Sequence, residues 1–142
     1  MRYQGQSLVT PVSPKGILDF EFARTAERFM QLRLFLNPAS FRTNIYLDFL
    51  FIGAYVWFLA SACGWVKEKT GKESWSNVFT TVAISAGFFD ICENFLLILI
   101  FDGKFDPSVL EIVFYCALIK FILAGLVVIY LLVSIPALFK RK

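Results

Sequence analysis

The sequence predicts an all-α integral membrane protein, in which an amphipathic interfacial helix precedes a helical bundle of three transmembrane helices. Two observations predict this fold class. Hydrophobic residues make up 58% of the 142 residues, and the mean hydropathy of +0.66 exceeds that of an ordinary soluble domain. The 17 phenylalanines supply more apolar surface than one small core can bury, so lipid must cover the rest. We expect a single membrane domain over residues 1–142.

Charge and cysteine content exclude several classes of function. The net charge of +3 is modest, and the basic residues gather at the ends of apolar segments, as membrane-flanking charges do. We therefore expect no nucleic acid partner. Cys63, Cys92 and Cys116 have no C-x-x-C spacing and histidine is absent, so neither a metal site nor a histidine-based catalyst is expected.

The N-terminal region divides into a strap and a helix. Gly5, Pro11 and Pro14 favour an irregular strap over residues 1–15. Residues 16–36 carry apolar side chains at helical spacing, namely Phe22, Ala26, Phe29, Met30 and Leu36. The opposite face is polar and comprises Glu21, Arg24, Glu27, Arg28 and Gln31. That many charges forbid a membrane span, so an amphipathic helix in the membrane interface is predicted.

Three later apolar runs, residues 44–66, 77–101 and 109–139, are each long enough to cross a hydrocarbon core of ~30 Å. Asn37 and Pro38 are predicted to end the interfacial helix before the first of them. At about 1.5 Å per residue the third run is longer than the core is thick, so we expect it to tilt or to project beyond the membrane.

The spans contain a set of deeply placed ionisable and amide side chains, namely Asp48, Asp90, Glu93, Asn94 and Lys120. Ionisable groups at such depth are costly and are candidates for function. We counted inward from the membrane face that holds the interfacial helix. Asp48 lies at about 6 Å, Glu93 and Asn94 at about 11 Å, and Asp90 and Lys120 at about 16 Å. The sequence therefore predicts a polar pocket in one half of the membrane.

Helical spacing places the polar groups on faces that can approach one another. Asp90, Glu93 and Asn94 are spaced i, i+3 and i+4, so they share one face of their helix. Small residues surround both this face and Lys120, and they permit close packing of membrane helices. These small residues are Ala83, Ala86, Gly87, Ala117, Ala124 and Gly125. Because Asp90 and Lys120 also match in depth, an ion pair between them is the first hypothesis.

Charge counting extends the hypothesis beyond that pair. Asp48, Asp90 and Glu93 offer three negative charges against one from Lys120. A proton, a cation, a polar headgroup or an arginine of the interfacial helix must balance the excess. The accessory residues of the predicted site are Tyr55, Glu21, Arg24 and Arg28.

The chain resembles a group of small bacterial integral membrane proteins. The resemblance rests on the N-terminal pattern P-x-G-I-x-x-F-E-x-A-x-T-x-E, here starting at Pro14, and on D-x-x-E-N, here Asp90 to Asn94. It also includes Asp48-Phe49-x-Phe51 with Tyr55. It implies a location in the bacterial inner membrane. The group has no established activity, so the resemblance implies no function or cofactor.

From these observations we expect a small multi-pass membrane protein whose polar pocket binds a proton, a cation or a polar headgroup, in a role related to transport. One alternative is a structural or assembly subunit of a membrane complex, whose buried charges only fix helix packing. Another is a lipid-modifying enzyme with Asp48 or Glu93 as general base, although no nucleophile or phosphate loop supports it. Membrane lipids and a homo-oligomeric or membrane-complex partner are the expected contacts.

Overall fold

A computed structural model describes residues 9–35, 37–71, 73–104 and 106–139. Within these ranges the regular structure is entirely helical, which confirms the predicted all-α fold. In chain order the α-helices are α1 (Ile17–Glu21), α2 (Ala26–Leu34), α3 (Pro38–Thr70), α4 (Glu73–Phe101) and α5 (Leu110–Phe139). A 3-10 turn over Pro107–Val109 leads into α5.

Helices α3, α4 and α5 are long and apolar enough to cross a membrane. They contain 33, 29 and 30 residues, and at about 1.5 Å per residue each exceeds a ~30 Å hydrocarbon core. The prediction of three transmembrane helices is therefore confirmed. Helices α3 and α4 contain the apolar runs predicted for them, and α3 extends beyond its run at both ends. Helix α5 begins at Leu110, one residue after the predicted start of the third run.

Local capping explains where the long helices begin and end. Asn37 Oδ1 accepts a hydrogen bond of 2.9 Å from the Ala39 amide, and Pro38 occupies the first helical position, where its missing N–H costs nothing. The predicted break at Asn37 is thus also the start of α3. Gly71 has a φ of 69° and donates its amide to the Lys67 carbonyl at 2.9 Å, a left-handed cap that ends α3.

The predicted single helix over residues 16–36 is wrong, because the structure divides the segment into α1 and α2. Thr25 is extended, with φ −120° and ψ 145°, and its Oγ1 accepts a hydrogen bond of 3.2 Å from the Arg28 amide. This side-chain cap starts a new helix. Leu36 lies outside the described residues. Met30, predicted on the apolar face, is 44% exposed, whereas Glu21, predicted on the polar face, is buried.

The described part of the strap forms a turn against α2. Thr10 and Ser13 exchange backbone hydrogen bonds of 3.1 and 3.0 Å, and the Ser13 hydroxyl donates to the Gly16 carbonyl at 2.9 Å. Arg28 donates from Nη2 to the Val12 carbonyl at 2.7 Å. The strap is therefore hydrogen-bonded to α2 through Arg28, which the sequence predicted on the polar face.

The chain forms two compact units, and α3, α4 and α5 each contribute to both. The first unit comprises the described residues up to Leu50 together with Ile91–Ala117, and the second comprises Phe51–Asp90 and the described residues from Leu118 onward. Each unit has a buried apolar cluster of its own. The core that holds α1 and α2 therefore belongs to the first unit.

Phenylalanines form the centre of the first unit. The ring centroids of Phe20 and Phe29 are 5.7 Å apart and those of Phe20 and Phe41 are 5.2 Å apart. Phe41 stacks on Phe101 at 4.2 Å. These contacts join α1, α2, α3 and α4. The N-terminal segment therefore packs on the helical bundle through buried aromatic rings.

Close helix contact and stacked rings characterise the second unit. A Cβ added to Gly87 would lie 2.5 Å from Val56 Cγ2, so the absent side chain lets α3 and α4 approach closely. Phe79 stacks on Tyr130 at 4.1 Å, and the hydroxyls of Tyr130 and Ser76 are 2.7 Å apart. Gly125, predicted to serve a similar role, has open space around it.

Replacing Phe41 should strongly destabilise the protein. Its side chain is fully buried and lies between Phe20 and Phe101, so Phe41→Ala should cost about 3–5 kcal/mol through lost burial and a residual cavity. Phe95→Ala is the matched control because Phe95 is 61% exposed. Chemical unfolding in a mild detergent measures both variants. Equal stability of the two would contradict the aromatic core.

Candidate functional site

A buried ion pair connects α4 with α5 in the second unit. Lys120 Nζ lies 2.7 Å from Asp90 Oδ1, and the two side chains are only 7% and 8% exposed. The ammonium group also lies 5.1 Å from the ring centroid of Phe121, within the range of a cation–π interaction. The pair predicted from matching depth and small-residue faces is therefore confirmed.

Tyr55 provides a second hydrogen bond to the Asp90 carboxylate. Its hydroxyl donates to Asp90 Oδ2 at 3.0 Å, while Lys120 donates to Oδ1 at 2.7 Å. Both carboxylate oxygens thus accept hydrogen bonds, one from α3 and one from α5. Such charge-assisted bonds offset the desolvation of a buried ion pair. Asp90 is the point at which the three long helices of the second unit are joined by polar contacts.

A second polar contact lies in the first unit, between α3 and α4. Asn94 donates from Nδ2 to Asp48 Oδ2 at 2.6 Å. Asn94 is 1% exposed, whereas Asp48 is half-buried. An amide offers both donors and an acceptor, so Asn94 stabilises the carboxylate while its oxygen still has acceptor capacity.

Glu93 precedes Asn94 in α4 and is completely buried, with 0% of its surface exposed. Placing a carboxyl group inside a membrane span is costly, and such groups mark proton or ion sites more often than surface carboxyls do. The complete burial of Glu93 distinguishes it from the half-buried Asp48. It agrees with the sequence-based prediction that Glu93 faces the bundle.

The five predicted site residues thus fall into two sets. The first unit holds Asp48, Glu93 and Asn94, and the second unit holds Asp90 and Lys120 together with Tyr55. Within each set the structure shows a direct polar contact. A single pocket that includes all five stays a prediction.

The accessory residues of the N-terminal segment make contacts of their own. The Arg24 guanidinium lies 4.6 Å from the ring centroid of Phe114, and Arg28 binds the Val12 carbonyl. Glu21 is buried at the end of α1. These contacts fix the N-terminal segment, and a role for the two arginines in charge balance stays a prediction.

The described residues include no group of three or more histidine, cysteine, aspartate or glutamate side chains arranged to hold a metal ion. Cys63, Cys92 and Cys116 form no disulfide. Cys63 and Cys116 are buried and Cys92 is half-buried, so they contribute to packing between helices. The polar chemistry of the spans therefore rests on carboxyl, amide, hydroxyl and ammonium groups.

Sequence reasoning missed a polar cavity at the ends of the first two spans. It has a volume of about 460 Å³ and is lined by Arg33, Pro38, Arg42, Phe101, Asp102 and Lys104. Its residues come from the end of α2, the start of α3 and the end of α4. The sequence signal was present, because basic residues flank both spans, but only tertiary contact brings them to one cavity.

Removing Lys120 should destabilise the protein more than removing both partners of its ion pair. Lys120→Met leaves a buried carboxylate and should cost about 3–5 kcal/mol. Lys120→Met with Asp90→Leu removes both charges and should recover much of that loss. Unfolding free energies of the four proteins in the double-mutant cycle give the coupling energy. A double variant that is no better than additive would rule out the pair.

Tyr55→Phe should cost about 1.5–3 kcal/mol, since it removes a hydrogen bond to a charged group. The same substitution in the Asp90→Leu background should cost almost nothing, because the acceptor is already gone. Tyr115→Phe is the control, since Tyr115 is 51% exposed. Thermal unfolding in detergent measures each variant, and an equal loss in both backgrounds would contradict the Tyr55–Asp90 bond.

Comparison with protein-family models, with curated proteins and with solved structures gives no match for this chain. Membership of the bacterial group that the sequence motifs resemble therefore stays a prediction. The buried polar groups of the three spans are therefore the features that indicate a function.

Proposed function

We propose that this chain is a membrane protein that binds an exchangeable proton or cation at buried acids of its spans, with Glu93, Asp48 and Asn94 as the binding residues. The observation that carries the proposal is the complete burial of Glu93 within α4. A carboxyl group in that setting is costly unless it holds a proton or a countercharge. Transport of the bound ion is the activity that such a site supports.

The charge balance of the spans supports this assignment. Lys120 carries one positive charge and lies 2.7 Å from Asp90, so its charge balances that carboxylate. Asp48 and Glu93 are two further acids in the spans of the first unit. Binding of a proton or a cation is one way to neutralise a carboxylate in such a setting.

The donor chemistry of the first unit also suits a proton or a hard cation. Carboxylate and amide oxygens are the ligands that hard cations prefer. Asp48 Oδ2 accepts a hydrogen bond of 2.6 Å from Asn94 Nδ2, which leaves the amide oxygen of Asn94 to serve as a ligand. Asp48 is half-buried, whereas Glu93 is fully buried. Glu93 would be the inner acid and Asp48 the outer one.

A structural role is the second candidate, and the closed network around Asp90 favours it for that residue. Both oxygens of Asp90 are hydrogen-bonded to neighbouring helices, which leaves its carboxylate well satisfied. We therefore assign Asp90, Lys120 and Tyr55 to the joining of helices. Because the Asp90 carboxylate is already hydrogen-bonded at both oxygens, binding of a polar headgroup at these residues is less well supported.

The cellular setting is also part of the proposal. The three apolar helices support a multi-pass membrane location, and the motif resemblance supports the bacterial inner membrane. A homo-oligomer or a larger membrane complex would supply the enclosure that three helices lack. Apolar side chains exposed on all three helices, such as Leu50, Phe88 and Ile129, suit contact with lipid or with such partners.

Infrared difference spectroscopy tests the proposal on Glu93. Across roughly pH 5 to pH 9, the range in which perturbed carboxyl groups titrate, wild type should show a protonated carboxyl band that Glu93→Gln lacks. If a cation occupies the site instead, exchange of sodium for potassium or lithium should shift carboxylate bands, and Glu93→Gln should abolish that shift.

Glu111→Gln is the matched control, because Glu111 is an exposed acid in the first turn of α5. Its spectra should retain both the protonated band and any cation-dependent shift. A Glu93 that stays ionised at every pH in the range and responds to no cation would return the acids to a packing role.

A further inference from the structure

The polar cavity of the first unit has an excess of positive charge. Its three basic residues are Arg33, Arg42 and Lys104, and its one acid is Asp102. Three positive charges and one negative charge leave a formal charge of +2. A cavity with that balance attracts anions.

The Asp102 carboxylate neutralises only part of the positive charge of the cavity. Its Oδ1 accepts from Arg42 Nη2 at 2.6 Å, and the two side chains are 19% and 51% exposed. An exposed ion pair of this kind contributes little to stability. A guanidinium has five N–H donors, so Arg42 can bind a second acceptor while it remains paired with Asp102.

Two further features add to the positive potential of the cavity. The Arg33 guanidinium lies 5.2 Å from the ring centroid of Phe101, which restrains its plane in the wall of the cavity. Pro38 also lines the cavity and is the first residue of α3. The positive end of a long helix dipole therefore lies at this wall.

We propose that this cavity binds a phosphate group, carried either by an anionic phospholipid or by a free phosphate anion. Arginine forks match the tetrahedral oxygens of a phosphate, and lysine adds a mobile point charge. A volume of about 460 Å³ falls in the range of small-molecule sites, so it accommodates a headgroup with its glycerol carbon atoms.

The position of the cavity favours the lipid as the source. Arg42 precedes the apolar run of α3, and Asp102 and Lys104 directly follow α4, so the cavity lies where a span leaves the hydrocarbon core. Leu34 and Phe35 follow Arg33 in the chain and are 82% and 62% exposed. These side chains would contact acyl chains while the phosphate occupies the cavity.

The site is independent of the proposed proton or cation site, because the two share no residue. Failure of the phosphate site would leave the assignment of Glu93 untouched, and the reverse also holds.

Titration of the purified protein in a non-ionic detergent tests the site. Short-chain phosphatidylglycerol, the matching diacylglycerol, inorganic phosphate and sodium chloride of equal ionic strength are each added, and the rise in Tm is followed with ligand concentration. Wild type should be stabilised by phosphatidylglycerol but not by diacylglycerol or by salt. Comparable stabilisation by inorganic phosphate would support a free anion as the source.

Two variants should change the binding in opposite directions. Arg33→Gln with Lys104→Gln preserves the Arg42–Asp102 pair and should raise the apparent Kd about 25-fold, from about fivefold (~1 kcal/mol) for each basic side chain. Asp102→Asn removes the competing carboxylate and should lower the apparent Kd about fivefold. Lys15→Gln is the matched control, since Lys15 is an exposed basic residue that does not line this cavity, and this variant should bind as wild type does.

The opposite changes in apparent Kd distinguish binding from a general effect on folding. A purely structural role for these residues predicts that Asp102→Asn does not tighten binding. Equal stabilisation of wild type and the Arg33→Gln, Lys104→Gln double variant would overturn the proposal. So would stabilisation by diacylglycerol equal to that by phosphatidylglycerol, or no stabilisation by either phosphate compound.

Discussion

A carboxylate inside a membrane bundle needs partners from the protein, and the second unit is arranged around this requirement at Asp90. Lys120 and Tyr55 reach the two oxygens of Asp90 from α5 and α3. In hydrocarbon, water cannot replace either partner, so the three helices must keep the register that maintains both contacts. The close approach at Gly87 fits this register, since α3 and α4 need proximity for Tyr55 to reach Asp90.

The first unit depends more on aromatic packing. Phe20, Phe29, Phe41 and Phe101 bury the short helices α1 and α2 against α3 and α4. Burial of large rings supplies stabilisation that two helices of 5 and 9 residues cannot gain from hydrogen bonds alone. This packing brings Arg33 of α2 to the same cavity as Arg42 and Lys104. The aromatic core therefore positions the proposed phosphate site.

The two proposed sites use different physics. At Glu93 the binding force is the cost of a buried carboxyl group, which favours any proton or cation that neutralises it. At the basic cavity it is the positive potential of arginine and lysine side chains, which salt screens and which attracts anionic lipid headgroups at the membrane surface. A membrane protein with both features can respond to the ion composition and to the lipid composition of its membrane.

The sequence by itself determined the all-α class, the three spans and the Asp90–Lys120 pair, because hydropathy and helical periodicity depend only on composition and spacing. It did not determine the break at Thr25. The hydrogen bond that caps a new helix there, from the Arg28 amide to Thr25, differs from continuation of the helix by only a small free energy. The burial of Glu21 and the shared cavity of Arg33, Arg42 and Lys104 were likewise decided by tertiary structure. Contacts between residues distant in the chain depend on how the short helices pack on the long ones, and no local pattern encodes that packing.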